Sequence, residues 1–353
     1  MSGKPGFSTQ NQEIINYCQR NKSSRQYRLG IMGCGIIARK FADAVTYHPA
    51  CELWAVASKT PSKAQKLAEE FNVPNASNYQ QILGDSSIDI IYIATTHNSH
   101  FELAKLALYH NKHVVIEKPF TVNAIQAMEL VEIAKSRNLF LMEAIWTRFL
   151  PSWIHLKKLI NEGIVGSIKV LNISFGGFAG PDYIQRLTQP ELAGGTTLDL
   201  GIYPITFACY MVGEIPSEIK SMTEFSQTGV DEISNYMFRF PSGSFATINA
   251  SYNLSMDDEA IIYGTRGNIH YPHFQAGEEF TVSIHNGTNT IESAEGIITQ
   301  NFHNGFIYQL EEIINCLNAG KIETEIITHN ETIKIMEVMD QLRDEWGFKY
   351  PFE

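Results

Sequence analysis

Several short stretches carry residue types that could do chemistry. Gly33-Cys-Gly35-Ile-Ile-Ala38 has the spacing G-x-G-x-x-A. In such a loop the first glycine permits a tight turn, and the second lets backbone approach a pyrophosphate. The small third residue lets the following helix pack on a sheet, and the helix N-terminus attracts the anion. Gly33, Gly35, Ile36 and Ile37 are therefore expected to bind a dinucleotide; the bland alternative is an ordinary strand-to-helix turn. About 20 residues on, where an NAD site usually places a carboxylate for the ribose hydroxyls, stands Ala57-Ser58-Lys59-Thr60. A hydroxyl, a cation and a helix N-terminus suit a 2′-phosphate instead. Ser58 and Lys59 thus point to NADP, with NAD as the alternative and a solvated surface role left open for Lys59.

Two further stretches follow apolar runs. They are Thr95-Thr96-His97-Asn98-Ser99-His100 and Glu117-Lys118-Pro119-Phe120. An ammonium between a carboxylate and a proline at a strand end is costly to bury unpaired, so Lys118 reads as functional rather than packed. Thr95, Thr96, His97, Asn98 and His100, with Glu117 and Lys118, are expected on the cofactor side. A satisfied structural imidazole is the alternative for each histidine. No third and fourth ligand has a spacing that would make a metal site of His97 and His100, and no metal is expected.

These residues need a frame to hold them. From Tyr27 onward short apolar runs alternate with stretches of helical period, the pattern of a parallel sheet covered by helices. The runs are 28–32, 53–57, 88–94, 114–116 and 139–142. Thr60-Pro61 opens the second helix, with Thr60 as the expected cap and Pro61 at the first helical position. The reading is an α/β chain, beginning with a doubly wound parallel sheet of Rossmann type over residues 27–150. Ligands in such sheets lie at the carboxyl ends of the strands, where the stretches above fall. After Pro151 the pattern changes to one helix, a strand at 167–175, a Gly-rich loop and a helix starting near Tyr203. Alternating strands then run from Ile219 to about His285, and two closing helices cover about 303–319 and 330–345. Residues 151–353 are expected to form an α+β domain with a large, mostly antiparallel open sheet. Residues 1–26 read as a flexible extension.

Composition narrows the function. Lys and Arg total 27 against 38 Asp and Glu, a formal charge of −11. Such a surface repels phosphate backbones and anionic lipid, so neither nucleic acid nor membrane is an expected partner. No apolar run approaches a bilayer-spanning length, and the first residues lack the pattern of a secretory signal. Five dispersed cysteines make no disulfide framework, and a reducing cytoplasm is the expected location.

Taken in order, the Gly33–Ala38 loop, Thr96–His100, Glu117–Pro119, Glu143-Ala-Ile-Trp-Thr-Arg148 and Gly194-Gly-Thr-Thr-Leu-Asp-Leu-Gly-Ile-Tyr203 resemble the glucose–fructose oxidoreductase/inositol dehydrogenase (Gfo/Idh/MocA) family. The likeness runs over roughly residues 27–350. It implies a Rossmann domain followed by a domain whose open sheet face often mediates oligomerisation, so a homodimer or higher homo-oligomer is expected. It also implies that Lys118 lies beside the nicotinamide. Many members carry Asp-x-Gly-x-x-x-His in the second domain; here Asp199 and Gly201 match, and Tyr203 stands where an acid/base residue is expected. That variant is similar to the dihydrodiol dehydrogenase/D-xylose dehydrogenase subgroup, in which a Lys and a Tyr form the catalytic pair.

The chemistry of the pair is sound on general grounds. Hydride transfer from a carbinol carbon needs a base for the hydroxyl proton, and the reverse needs an acid. A neighbouring ammonium favours phenolate and holds the substrate oxygen. Tyr203 is thus expected as proton donor and acceptor, Lys118 as its partner, and Asp199 as an orienting group; a packed tyrosine and a helix cap are the alternatives. Trp146, Arg148, Phe149 and Arg186 are expected to contact a polyhydroxylated substrate. The competing reading of the whole chain is a non-catalytic, NAD(P)-sensing regulator of the same fold.

Overall fold

The computed structural model describes residues 17–18, 25–285, 291–299, 302 and 304–353. Apart from 17–18 and 25–26, the expected N-terminal extension lies outside them. The described chain divides into two compact units. The first holds the residues up to Phe120, then Ile125–Phe149 and Phe302–Thr332; the second holds Thr121–Ala124, the residues between Leu150 and Asn301, and Ile333–Glu353. The sequence reading placed 302–332 in the second domain. They group with the first, because the apolar side of one late helix packs on the first helix of the parallel sheet.

In the first unit, strands β1 (Tyr27–Met32), β2 (Cys51–Ala57), β3 (Asn75–Ser77), β4 (Ile90–Ile93), β5 (His113–Glu117) and β6 (Leu141–Ala144) form one parallel sheet. Its order is β3-β2-β1-β4-β5-β6. Strands β4 and β6 are buried throughout and β5 is buried beyond His113, which explains their largely apolar runs. β3 escaped the sequence reading because its three residues, Asn-Ala-Ser, carry no apolar signal. The helices are α1 (Ile36–Tyr47), α2 (Pro61–Phe71), α3 (Tyr79–Gly84), α4 (His100–Tyr109) and α5 (Ala124–Arg137). α1 buries Ala38, Phe41, Ala42, Ala44 and Val45 on one stripe. Pro61 takes the first position of α2 as expected, but Thr60 makes no side-chain cap; the Ser58 hydroxyl instead accepts from the Thr60 amide at 3.1 Å.

The sheet would end at β6 with an open edge. Residues 322–332 cover it: the Leu141 amide donates to the Ile322 carbonyl at 3.0 Å, and His329 Nε2 lies 2.8 Å from the Leu141 carbonyl. That strap satisfies backbone groups that an exposed edge would leave unpaired.

The second unit contains α6 (Pro151–Asn161), β7 (Ile168–Gly176), α7 (Pro181–Leu187) and α8 (Ile202–Val212). The strands that follow are β8 (Glu218–Phe225), β9 (Asp231–Arg239), β10 (Phe245–Ser251), β11 (Glu259–Gly264), β12 (Gly267–Pro272), β13 (Glu279–His285) and β14 (Ile291–Ile298). Eight strands lie in the order β14-β13-β12-β11-β7-β10-β9-β8, all antiparallel neighbours except β7 and β10. β14 lies beyond the expected end of the sheet. One face is packed by α6 and α8 around Trp153, whose indole N–H donates to the Phe274 carbonyl at 2.7 Å. The other face leaves Met222, Met237, Phe245 and Tyr263 exposed. α9 (Phe306–Asn318) and α10 (His329–Glu345) close the chain.

Candidate active site

The glycine loop sits between β1 and α1, as its spacing requires. Gly33 has φ +102°, and a Cβ built there would lie 2.2 Å from the Ala94 carbonyl oxygen at the end of β4. Only glycine tolerates that conformation and approach. Gly35 presents the opposite case: a Cβ on it would meet no protein atom within 4 Å. That space lies at the N-terminus of α1, where Gly35 supplies no side-chain cap and the first turn carries no acidic residue. Free amides facing open space at a helix start fit a pyrophosphate. Ile36 is exposed and Ile37 half-buried beside it.

Ser58 is buried at the end of β2 and Lys59 is exposed, with no carboxylate in the turn. Three residues that the sequence did not single out gather here. Tyr79 lies beside the Lys59 backbone; Arg39, which is paired with Glu70 at 2.8 Å, and Lys63 lie close enough to draw the Cys34 thiol downward. Burial outweighs them and pushes that thiol up to about 11, so Cys34 stays protonated at neutral pH. Arg39 and Lys63 belong to helices α1 and α2, and Tyr79 follows an edge strand with no sequence signature. Only the fold brings them near Cys34, whose thiol lies 3.6 Å from the Ala57 carbonyl at the end of β2.

The ends of β4 and β5 are joined through side chains. Tyr92, stacked on Phe41, donates to the Glu117 carboxylate, and the Lys118 amide reaches Glu117 Oε2 at 3.2 Å. The Lys118–Pro119 peptide is cis. His100 Nδ1 lies 2.8 Å from the Pro119 carbonyl, and its Nε2 lies 3.2 Å from that of Thr95. The Phe120 amide donates to Glu143 Oε1 at 3.1 Å. Glu117, Pro119 and Phe120 are all buried, whereas Lys118 between them is half-exposed. The backbone is therefore clamped on both sides of Lys118, and its amine is presented by a fixed turn. Ser99 binds Thr95 Oγ1 and the Thr96 carbonyl, and Thr96 Oγ1 binds Asn98, so the Thr95–His100 loop is held by its own side chains.

Some expectations need correction. His100 is fully buried, with both ring nitrogens at backbone carbonyls; it braces two loops and does not face a cofactor. His97 is also buried, its ring edge-on to His100. Arg148 is 1% exposed, and its guanidinium binds the Glu331 carboxylate and the Ile326 carbonyl. It anchors the 322–332 strap, not a substrate. Phe149 is core, and Trp146 is half-buried and stacked on Phe306.

Glu143 was met in the sequence only as part of a motif. It is buried at the end of β6, with Oε2 accepting from Thr332 Oγ1 at 3.0 Å. Burial pushes its carboxyl up to about 7, against donation from Thr332 and Phe120. The folded chain therefore holds a proton that an unfolded glutamate releases near 4.5. Its contribution to stability is greatest below that pH and is lost as pH rises through about 7.

In the second unit, Thr197–Gly201 form a single π-helical turn leading into α8. Such turns widen a helix locally and are frequent at functional sites. Asp231 pins this one, its buried carboxylate accepting at 2.6 Å from both the amide and the hydroxyl of Thr197. Asp199 is no helix cap: it is 2% exposed and takes Arg186 Nη2 at 2.9 Å. Burial lowers the Arg186 pKa, but the charge and hydrogen bond of Asp199, together with those of Tyr183, outweigh it and hold the guanidinium above its ordinary value. Tyr203 follows in the first turn of α8, buried and edge-on to Phe175.

Among the described residues one cluster has metal-type donors: Cys18, His48 and Glu311, their ligand atoms within 4.8 Å of one another. The Ala50 amide donates to His48 Nδ1 at 3.2 Å, so the neutral ring carries its proton on Nε2, 2.8 Å from Glu311. Burial and Glu311 push the Cys18 thiol up to about 12. The Cys18 thiol keeps its proton and the His48 ring is paired with the Glu311 carboxylate, which describes a hydrogen-bonded clamp better than a ligand set. No helix among the described residues is long and apolar enough to cross a membrane.

A parallel sheet of order 3-2-1-4-5-6 with an anion-ready glycine loop at its carboxyl edge defines a dinucleotide-binding protein of Rossmann type. Residues 27–145 match the model of the Gfo/Idh/MocA oxidoreductase family, NAD-binding Rossmann fold, and residues 153–270 match a C-terminal domain model of the same family. The chain belongs to that family. It is similar to trans-1,2-dihydrobenzene-1,2-diol dehydrogenase of Mus musculus, 31% identical over 92% of this chain and 98% of the relative. It is likewise similar to the NADP-dependent D-xylose 1-dehydrogenase of Hypocrea jecorina, 32% identical over 91% and 92%. A solved 3-ketoreductase from Actinomadura kijaniata, in complex with NADP and TDP-benzene, shares the fold with a TM-score of 0.82, 22% identity, and coverage of 91% and 98%.

Proposed function

We propose that this oxidoreductase uses NADP(H) to interconvert a secondary alcohol and a ketone, or a hemiacetal and its oxidised form, on a sugar or cyclic diol. The observation that carries it is the turn at 117–120, where buried groups fix the backbone on both sides of a half-exposed lysine. Relatives named for a cyclic diol and for D-xylose support the substrate class. The carboxylate-free Ser58–Lys59 turn, with Arg39 and Lys63 near Cys34, supports NADP over NAD.

Gly33, Gly35 and the open start of α1 would hold the pyrophosphate, and Ser58 and Lys59 the 2′-phosphate. When bound, the nicotinamide supplies the hydride acceptor or donor. Lys118 donates to the substrate oxygen and lowers the cost of a phenolate on Tyr203. Tyr203 takes the hydroxyl proton in oxidation and returns it in reduction. Asp199, neutralised by Arg186, orients the π turn that leads into the helix carrying Tyr203.

Absorbance at 340 nm with a panel of aldoses, ketosugars and cyclic diols tests the reading. NADPH-linked turnover of at least one is expected; NADPH binding without turnover of any would overturn it in favour of the cofactor sensor. Lys59→Ala should weaken NADPH binding about tenfold, the worth of one charge-assisted contact, while NADH binding stays unchanged. Equal losses for the two cofactors would remove the 2′-phosphate assignment. A homodimer through the exposed face of β8 to β12 belongs to the same reading. Sedimentation should give twice the chain mass, with Met237→Lys shifting the protein toward monomer. A monomeric wild-type protein would refute it.

A further inference from the structure

Glu143 is a carboxyl placed where a chain gains least from one. It is 3% exposed, next to Met142 and Ala144 in a fully buried strand, and it stands opposite Ile116 of β5. An apolar side chain would fill that space without the desolvation cost of a carboxylate. What the carboxyl does is make a connection. One oxygen takes the amide of Phe120, two residues beyond Lys118; the other takes the hydroxyl of Thr332, 189 residues further along the chain. Arg148 and Glu331 flank it with opposite charges, and they are bound to each other, so neither displaces the two hydrogen bonds.

The remaining anchors of the turn come from nearby chain: Tyr92 on Glu117 and His100 on Pro119. Both hold the side of the turn that faces β4. Glu143 holds the far side, and through Thr332 it is braced by the strap that covers the edge of β6.

We propose that Glu143 is a positioning residue, which fixes the presentation of the Lys118 amine by tying the Phe120 amide to Thr332. The proposal rests on the reading of Lys118 as the group that meets substrate. Removing the tie frees the backbone next to Lys118, and a displacement of about 1 Å in a reacting constellation can cost about a hundredfold in rate.

The test compares Glu143→Ala, Glu143→Gln and Thr332→Val with wild type by two readouts. The first is the kcat and KM of NADPH-linked turnover on whichever panel substrate wild type accepts. The second needs no turnover: acetylation of Lys118 by acetic anhydride, quantified by peptide mass spectrometry against the exposed Lys59 and Lys63. Glu143→Ala should lower kcat about tenfold to a hundredfold with the KM for NADPH little changed, and should alter Lys118 labelling about threefold or more relative to the reference lysines. Glu143→Gln should restore both, since an amide oxygen still accepts from Phe120 and the amide nitrogen can donate to Thr332. Thr332→Val severs one arm alone, and it should move Lys118 labelling in the same direction even if the alanine variant does not fold. Unchanged Lys118 labelling in Thr332→Val and in a folded Glu143→Ala, or a glutamine variant as impaired as the alanine one, would overturn the proposal. A wild type that labels as expected but turns over nothing would sink the enzymatic reading instead.

Discussion

Tyr203→Phe is expected to reduce turnover by about a hundredfold to ten-thousandfold, the usual worth of a positioned acid or base. The substitution removes one oxygen and leaves the ring, which packs edge-on against Phe175 of β7. The fold should survive and NADPH binding should stay at the wild-type level, because the glycine loop and the Ser58 turn are untouched. Lys118→Ala should cost a similar factor. In the proposed mechanism the two groups act on one proton, so the double variant should be little worse than either single one. Fluorescence titration with NADPH and a coupled rate measurement separate the two effects. Full turnover in both single variants would end the Lys–Tyr mechanism, and a strictly additive double variant would show that the residues act apart.

Gly33→Ala should abolish cofactor binding and destabilise the first unit by about 2–4 kcal/mol. About 1–2 kcal/mol of this comes from the left-handed backbone alone. The rest comes from the contact that a Cβ would make, 2.2 Å from the Ala94 oxygen and 2.6 Å from its carbonyl carbon. Those are backbone atoms held at the end of β4, where the Ala94 amide donates to the Met32 carbonyl at 2.8 Å, so they cannot swing aside. Gly35→Ala is the contrasting case. Its Cβ meets no protein atom, so the folded chain should be nearly as stable as wild type while NADPH affinity falls steeply. Chemical denaturation and NADPH titration of the two variants distinguish these outcomes. A Gly35→Ala protein that binds NADPH as wild type does would remove the pyrophosphate from that space.

Much of the frame was legible along the chain, for reasons local to it. A parallel strand buried on both faces is apolar at most positions, and a phosphate loop must have glycine where backbone and ligand come close. The runs ending at Met32, Ala57, Ala94 and Ile116 and the Gly33–Ala38 spacing therefore announced β1, β2, β4, β5 and the start of α1. The eight-stranded sheet was less complete in the sequence. Its alternation was visible to about His285, whereas β14, Ile291–Ile298, has no clear apolar face to reveal it.

Polar residues were the harder part. His100, Arg148 and Arg186 each look the same in a sequence whether they meet a ligand or another side chain. The choice for Arg148 was made by Glu331, 183 positions away, and for Arg186 by Asp199 across the Gly-rich loop. Glu143 carried no signal of its own, because its partners Phe120 and Thr332 are distant from it and from each other.

The amino-acid sequence by itself determined the order of the elements, the glycine loop, the missing carboxylate after β2 and the types of the two groups assigned to proton transfer. These follow from backbone geometry and side-chain chemistry that act over a few residues. Tertiary structure alone decided which charged and polar side chains are braces and which stay presented. A buried hydrogen bond or ion pair forms only where the fold delivers a matching partner, and that delivery depends on segments far apart in the chain.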